Sequence, residues 1–252
     1  MVYTVLDIET TGFMKFDANG DLITDLLEVA YLHVDSSNLR VLGSGTLYFY
    51  QPHFDIENDA QKIHNLTRSF LAQYEHEFEE NIRTLSALMT NAVIVGKNSR
   101  KFDIPFIKHF ISKYSGKKYD ISDITSRVAM KTYDKKSTIY HESNIEHLDI
   151  QEMYAPVYRV KKYLSEIGEI DKFYDKNFTA AEFDKIHESV NKSKRGSLSE
   201  YISMMPKGCE YTKSLYDSLE KERITTEHGA LYDVCMTYVI WLDYIILRGR
   251  LK

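Results

Sequence analysis

Asp7 and Glu9 stand one residue apart in "VLDIETTG" (5–12), at the end of an apolar run. In an extended chain, residues two apart share a face, so both carboxylates point the same way. Anions that close repel unless a cation sits between them, and hard oxygen donors suit Mg²⁺ or Mn²⁺. Taken alone, such a pair is as well explained by surface acids at a solvated strand end. The residues that follow change the weighting. Gly12 allows a tight turn close to a ligand, and the hydroxyls of Thr10 and Thr11 suit contacts to a sugar or phosphate.

Two later stretches carry further candidates. In "GKNSRKFDIPF" (96–106), Asp103 opens a helix directly after the short apolar run "AVIVG" (92–96). By itself it reads as a helix N-terminal acid stabilised by the macrodipole. In "EHGALYDV" (227–234), His228 and Asp233 are five apart, about 140° around a helix and so not on one face. The arrangement fits better with His228 on the loop before a helix and Asp233 in its first turns. A histidine beside carboxylates can act as a general base near neutral pH, although a lone histidine is as readily a packed or surface residue. "DANGDLITDLLE" (17–28) puts Asp17, Asn19, Asp21, Asp25 and Glu28 at calcium-loop positions, but Leu22 stands where the loop requires glycine.

The elements that must position these residues alternate. "YTVLDI" (3–8) reads as a strand buried on both faces. "LLEVAYLHV" (26–34), "RVLGSGTLYFY" (40–50), "AVIVG" and "IEHLDI" (145–150) read as four more. Residues 58–72, 79–90 and 98–114 have helical spacing, as does a strongly apolar segment from Gly229 to about Leu247 that holds Trp241, the only tryptophan. The pattern predicts an α/β fold, a mixed sheet of about five strands flanked by helices. Residues 151–195 are rich in tyrosine and lysine and predict a helical insertion or lid with solvated charges or, in the sharper alternative, a substrate-contacting lid carrying Arg159, Lys161 and Lys162. The body would then be 1–150 plus 196–252.

Bulk properties are those of an ordinary globular chain: 252 residues, 43% hydrophobic, 27% charged, formal charge −5. No uninterrupted apolar run approaches ~18 residues, so no membrane span is expected. The first residues lack the basic flank and cleavage site of a secretory signal. Cys209 and Cys235 are too few for a disulfide framework or a thiolate zinc site, which points to a reducing, cytoplasmic setting. The negative charge argues against a general nucleic-acid coat, not against an enzyme that grips a few nucleotides with bound cations.

Taken together, Asp7, Glu9, Asp103, His228 and Asp233 resemble, in order and context, the DEDDh family of 3′–5′ exonucleases. Its best-known member is the proofreading epsilon subunit of bacterial DNA polymerase III. "LDIETTG", "NSRKFDIPF" and "HGALYD" carry the resemblance, supported by "KIHNLT" (62–67), "DI" (149–150) and "SLSEY" (197–201). Lys97 departs from the histidine that many proofreading members hold there. The resemblance implies a ribonuclease-H-like fold with two bound Mg²⁺ or Mn²⁺ ions. Asp7 would bridge them, Glu9, Asp103 and Asp233 would complete the ligand set, and His228 would be the general base. It further implies that Thr10, Thr11, Gly12, Leu6, Asn98, Phe102 and His64 line the substrate site. Nucleoside 5′-monophosphates would be released from single-stranded 3′ ends, of DNA in the first reading and of RNA in the second. A DNA polymerase or replication factor is the implied partner, with no membrane. A catalytically silent nucleic-acid-binding module is the remaining alternative.

Overall fold

The structure, a computed structural model, describes residues 2–90, 92–115, 146–175, 177–190, 196–219 and 229–250. Its centre is a five-stranded sheet of β1 (Val2–Thr10), β2 (Leu26–Asp35), β3 (Val41–Tyr48), β4 (Val93–Gly96) and β5 (Glu146–Asp149), in the order β3-β2-β1-β4-β5. β1, β2 and β3 pair antiparallel, whereas β4 and β5 run parallel to β1. The mixed sheet and its strand positions match the α/β expectation.

Side-chain alternation divides the molecule into two cores. Leu6 and Ile8 of β1, Leu27 and Val29 of β2, and Ile94 of β4 face one side. They pack there against α3 (Phe78–Met89) and α4 (Asp103–Ser115). Tyr3 and Val5, Ala30 and Leu32, and Val95 face the other side, against α5 (Ile150–Glu166) and α10 (Ala230–Arg250). Asp7 and Glu9 have the parity of Tyr3 and Val5, so both carboxylates belong to the α10 face. Glu28 shares the parity of Ala30 and joins them there.

Between β3 and β4 the predicted helix over 58–72 is broken. Asn65 adopts a left-handed conformation (φ 59°) and ends α1 (Asn58–His64). Thr67 then caps the short α2 (Arg68–Leu71), accepting the Phe70 N–H at 3.2 Å, and a 3₁₀ turn leads into α3. The predicted start of α4 at Asn98 also shifts, because Asn98 itself is left-handed (φ 57°) and residues 98–102 form a turn. Four short or medium helices complete the order: α6 (Ile170–Tyr174), α7 (Ala180–Ser189), α8 (Leu198–Ser203) and α9 (Gly208–Leu219). The last of these has no counterpart in the sequence reading.

The expectation of a lid with solvated charges is corrected for α5. This helix lies within the core, with Tyr154, Val157, Tyr158 and Val160 almost fully buried, and Phe173, Phe178 and Phe183 extend the same cluster. Tyrosine explains the misreading: it counts as half polar in a pattern yet buries a large ring when its hydroxyl finds a partner. Lys161 is 0% exposed. Its ammonium donates to the Tyr154 hydroxyl at 2.8 Å and to Asp243 of α10 at 3.1 Å, with the Phe173 and Tyr174 rings 5.0 and 5.1 Å away. Tyr154 donates to the same carboxylate at 2.6 Å. The charge is thus paired and hydrogen-bonded, the condition under which a buried lysine is tolerated.

α10 also qualifies the expectation about membranes. Ala230–Gly249 is long and apolar enough, by length and average hydropathy, to cross a bilayer. In this fold 67% of that window is buried, with Trp241 set edge-on against Tyr3 of β1 at 4.7 Å. Its apolar surface is spent on the sheet.

Removing Asp243 would strand the Lys161 charge inside the protein. Asp243→Ala should therefore cost roughly 3 kcal/mol in chemical denaturation, and the pair Lys161→Met/Asp243→Leu should recover most of it. A loss below about 0.5 kcal/mol for the single variant, the size seen for exposed pairs, would contradict this.

Candidate active site

The central strand delivers the first two acids. Asp7 and Glu9 are half-buried at the carboxyl end of β1, next to the carboxyl end of parallel β4, where open α/β sheets place their ligand crevices. Asp103 arrives from the turn after β4 at the first residue of α4, and is 3% exposed. Its own backbone amide and that of Ile8 in β1 stabilise its charge, which ties it to the strand between the other two acids. Asp233 sits in the first turn of α10, half-buried.

Electrostatics show that these four form one group. Burial raises the Asp7 carboxyl well above its ordinary range, and the negative charges of Asp233, Asp103 and Glu9 raise it further, with Lys97 opposing. Glu9 is pushed up to about 8, by burial first, then by Glu28, Asp233 and Asp103. Asp103 is pushed up to about 7 by burial, with Asp149 adding to the rise and Lys97 opposing it. Such mutual elevation is the mark of anions crowded without a counter-charge. Their hard oxygen donors fit a divalent cation of the magnesium class. Among the described residues, no three acidic, histidine or cysteine side chains already close into a cage. What they share is a field that a cation would neutralise.

Glu28 is the acid that the motif reading missed. It is 2% exposed, lies directly across the ladder from Glu9, and is the largest charged contributor to Glu9's elevation. The backbone N–H of Ala230 reaches its carboxylate at 3.5 Å, so Glu28 also meets the start of α10. An acid inside the apolar run "LLEVAYL" was the available signal, since a buried strand interior does not hold a carboxylate without a use for it.

The remaining predicted residues fall in several places. The Thr10 hydroxyl donates to the Gly12 carbonyl at 2.8 Å, and that of Thr11 accepts the Asp25 N–H at 2.8 Å. Both threonines are buried, so these hydroxyls shape the loop and are not open to a sugar. Gly12 lies close to a side chain: a Cβ there would meet the Glu57 carboxylate at 2.5 Å, the movable end of a flexible side chain. Glu57 pairs with Lys15 across the loop. Leu6 is 1% exposed in the core and does not wall the crevice, a correction that follows from its even parity on β1.

His64 is also buried, at 1% exposed. Its Nδ1 accepts the Leu66 N–H at 3.0 Å, which leaves the proton on Nε2. That nitrogen has no partner within hydrogen-bond distance among the described residues; the Thr10 backbone is its polar neighbour. Burial lowers its pKa, so the ring is neutral. Phe102 is half-buried against Phe106. Asn98 gives its backbone N–H to Asp149 at 2.9 Å. His228 lies outside the described residues. Phe13, missed from the sequence, is 80% exposed directly after Gly12, the most open large apolar side chain described.

A family model described as exonuclease (RNase_T) matches residues 4–138. The DNA polymerase III subunit epsilon of Buchnera aphidicola (subspecies Schizaphis graminum) is 30% identical over 141 residues, covering 54% of this chain and 58% of that protein. The chain thus matches little more than half the length of that relative. The crystal structure of E. coli exonuclease I in complex with a dT13 oligonucleotide superposes with a TM-score of 0.51, covering 97% of this chain and 40% of that one at 15% identity. A product-bound exonuclease I structure gives 0.53, with 98% and 45% coverage at 13% identity. At these identities the likeness speaks to the fold.

The raised carboxyls set the pH response of the metal-free protein. Glu9 and Asp103 titrate near 4.5 and 3.8 when unfolded and near 8 and 7 when folded. Between pH 4 and 8 the folded state therefore holds more protons, and stability falls as pH rises. In chelator, Tm should drop by roughly 5 °C or more from pH 5 to pH 8. Asp7→Asn should flatten the drop, and Mn²⁺ should raise the wild-type Tm at pH 8 but not that of the variant. A Tm that rises with pH in chelator would contradict the assignment.

Proposed function

The chain belongs to the RNase_T exonuclease family, and on that premise we propose that it is a divalent-metal-dependent 3′–5′ exonuclease. It removes nucleoside 5′-monophosphates from the 3′ ends of single-stranded DNA. The observation that carries the reading is the electrostatic coupling of Asp7, Glu9, Asp103 and Asp233 on one face of the sheet.

Divalent ions held by these four carboxylates would supply charge neutralisation at the scissile phosphate and a water of lowered pKa. The chain supplies the rest. Asp7 and Glu9 ride on the central strand, held by the ladder to β2, while the pairing to β4 ends at Val5 and leaves their other edge open. Asp233 closes the set from a helix clamped to that strand through Trp241 and Tyr3. Lys97 adds a fixed positive charge beside Asp7 and Asp103, favouring their ionised, ligating forms. His228 takes the proton of the attacking water. Phe13 offers an open ring for the terminal base, since stacking on an aromatic face is indifferent to base identity. DNA as the substrate and a DNA polymerase as partner are supported by the name of the epsilon relative, a subunit of DNA polymerase III, and by the oligonucleotide in the exonuclease I complex; proofreading is the role proposed with that partner.

The test is degradation of a 5′-labelled single-stranded DNA and its RNA counterpart with Mg²⁺ or Mn²⁺. The wild type should give a ladder shortened from the 3′ end. His228→Ala should slow it by about 10²–10⁴-fold, and Asp7→Asn should abolish it. Faster loss of the RNA would move the substrate to RNA. A His228→Ala rate within threefold of wild type would remove the general-base assignment.

A further inference from the structure

Glu28 stands outside the four-acid set yet meets two of the elements that carry it. It is the direct partner of Glu9 across the antiparallel ladder of β1 and β2. Opposed residues share a face with their Cβ atoms about 5 Å apart, and like charges so placed destabilise a sheet. Opposite Asp7 the same strand places Ala30, a bare methyl group. Opposite Glu9 it places an acid, within the otherwise apolar "LLEVAYL". The position therefore carries a cost that an apolar residue would remove. Glu28 is 2% exposed, whereas Asp7 and Glu9 are half-buried. It is shut off from the water and phosphate that bound ions would share with their ligands.

The carboxylate is turned instead to α10. Its Oε2 accepts the N–H of Ala230, the first residue of that helix, at 3.5 Å, a long contact between residues 202 positions apart. The first N–H groups of a helix have no partner within it, and the macrodipole favours an anion beside them. A second tether lies eight residues further along. There the Tyr238 hydroxyl donates to the Leu39 carbonyl at 2.6 Å, beyond the carboxyl end of β2. Leu39 is left-handed (φ 60°), an uncommon conformation for leucine. The two tethers are about 12 Å apart along the helix axis. Ala230, Leu231 and Val234 pack in one cluster with Ala30 and Leu32 of β2. Asp233 follows Ala230 by three residues, within one turn of the first tether. His228 precedes Ala230 by two, so chain length limits its Cα to about 7 Å from that of Ala230.

We propose that Glu28 is a positioning residue of this site: its carboxylate holds the start of α10 against β2 and so sets where Asp233 and His228 stand relative to Asp7 and Glu9. It touches neither substrate nor reacting atoms. The proposal rests on the exonuclease reading above and deepens it, since it gives a use to the acid that crowds Glu9. One strand residue then links the two ends of the acidic group: the ladder fixes it opposite Glu9, and its carboxylate fixes the helix that brings Asp233.

Two substitutions separate this role from that of a fifth metal ligand or a space-filling side chain. Glu28→Gln keeps an oxygen that can accept the Ala230 N–H. Glu28→Met keeps the volume and loses the acceptor. On 5′-labelled dT10 with Mn²⁺, Glu28→Met should lower kcat by about 10²-fold, the size expected for a misplaced catalytic group, with KM within threefold of wild type. Glu28→Gln should stay within about fivefold of the wild-type kcat, because the acceptor is retained. Hydrogen exchange in chelator, without substrate, reads the tether itself: amides from Leu231 to Val234 should exchange about tenfold faster in Glu28→Met, those after Tyr238 should not change, and Glu28→Gln should follow the wild type. A Glu28→Gln loss as complete as that of Asp7→Asn would make Glu28 a ligand and overturn the positioning role. So would a Glu28→Met kcat within threefold of wild type, or unchanged exchange at the start of α10. Failure of the wild type to shorten dT10 would overturn the exonuclease reading, and the exchange measurement would still decide the tether.

Discussion

Like-charge repulsion in a partly dry crevice is the interaction to which the rest of this structure answers. Four carboxylates from three separate stretches of chain meet at the end of one strand, and the folded protein raises the pKa values of Asp7, Glu9 and Asp103. A surface turn could relax such crowding by moving. Here the acids are fixed to well-held parts of the fold: the end of a strand laddered to β2, the first residue of a helix packed in one core, and the first turn of a helix packed in the other. The two cores flanking the sheet supply the favourable free energy against which the repulsion is held. The strain therefore stays at the site, ready to be relieved by a cation.

The same residue type is used in two opposite ways a short distance apart. Asp149 and Asp25 are as buried as Asp103, yet each is enclosed by donors. Asp149 accepts three backbone N–H groups, and Asp25 accepts Lys113 at 2.6 Å and the Tyr114 hydroxyl at 2.7 Å. Asp149 thereby fixes the turn that carries Asn98, and Asp25, through its backbone bonds to Thr11, fixes the loop after Glu9. A buried acid surrounded by donors is scaffold; a buried acid surrounded by acids is a site waiting for a cation. Glu28 stands between the two classes, since it meets the N–H of Ala230 while raising Glu9.

What could be read from the sequence followed what local patterns encode. The five strands show as apolar runs, and Asp7, Glu9, Asp103 and Asp233 show because each ends or begins an element whose type is legible. Parity on β1, a purely local property, already determined that Leu6 would turn away from Asp7 and Glu9. The failures share a cause, which is that burial is decided by distant chain. Lys161 looks solvent-exposed until Asp243, 82 positions later, is seen beside it. His64 and the two threonine hydroxyls look free until Leu66, Gly12 and Asp25 are seen to use them. Glu28 reads locally only as a calcium-loop position because its partner in repulsion, Glu9, lies across a ladder that no local window contains.

The placement of α5 bears on the same acidic group. A helix solvated on all sides could not keep its first turn at a fixed distance from Asp103. Embedding Tyr154, Val157 and Tyr158 in the core and tying Lys161 to α10 makes the outer edge of α5 as rigid as the sheet. Its first residues begin where β5 ends, and β5 is paired to β4, whose next turn leads to Asp103. The start of α5 and the acidic group are thus consecutive features of one sheet edge.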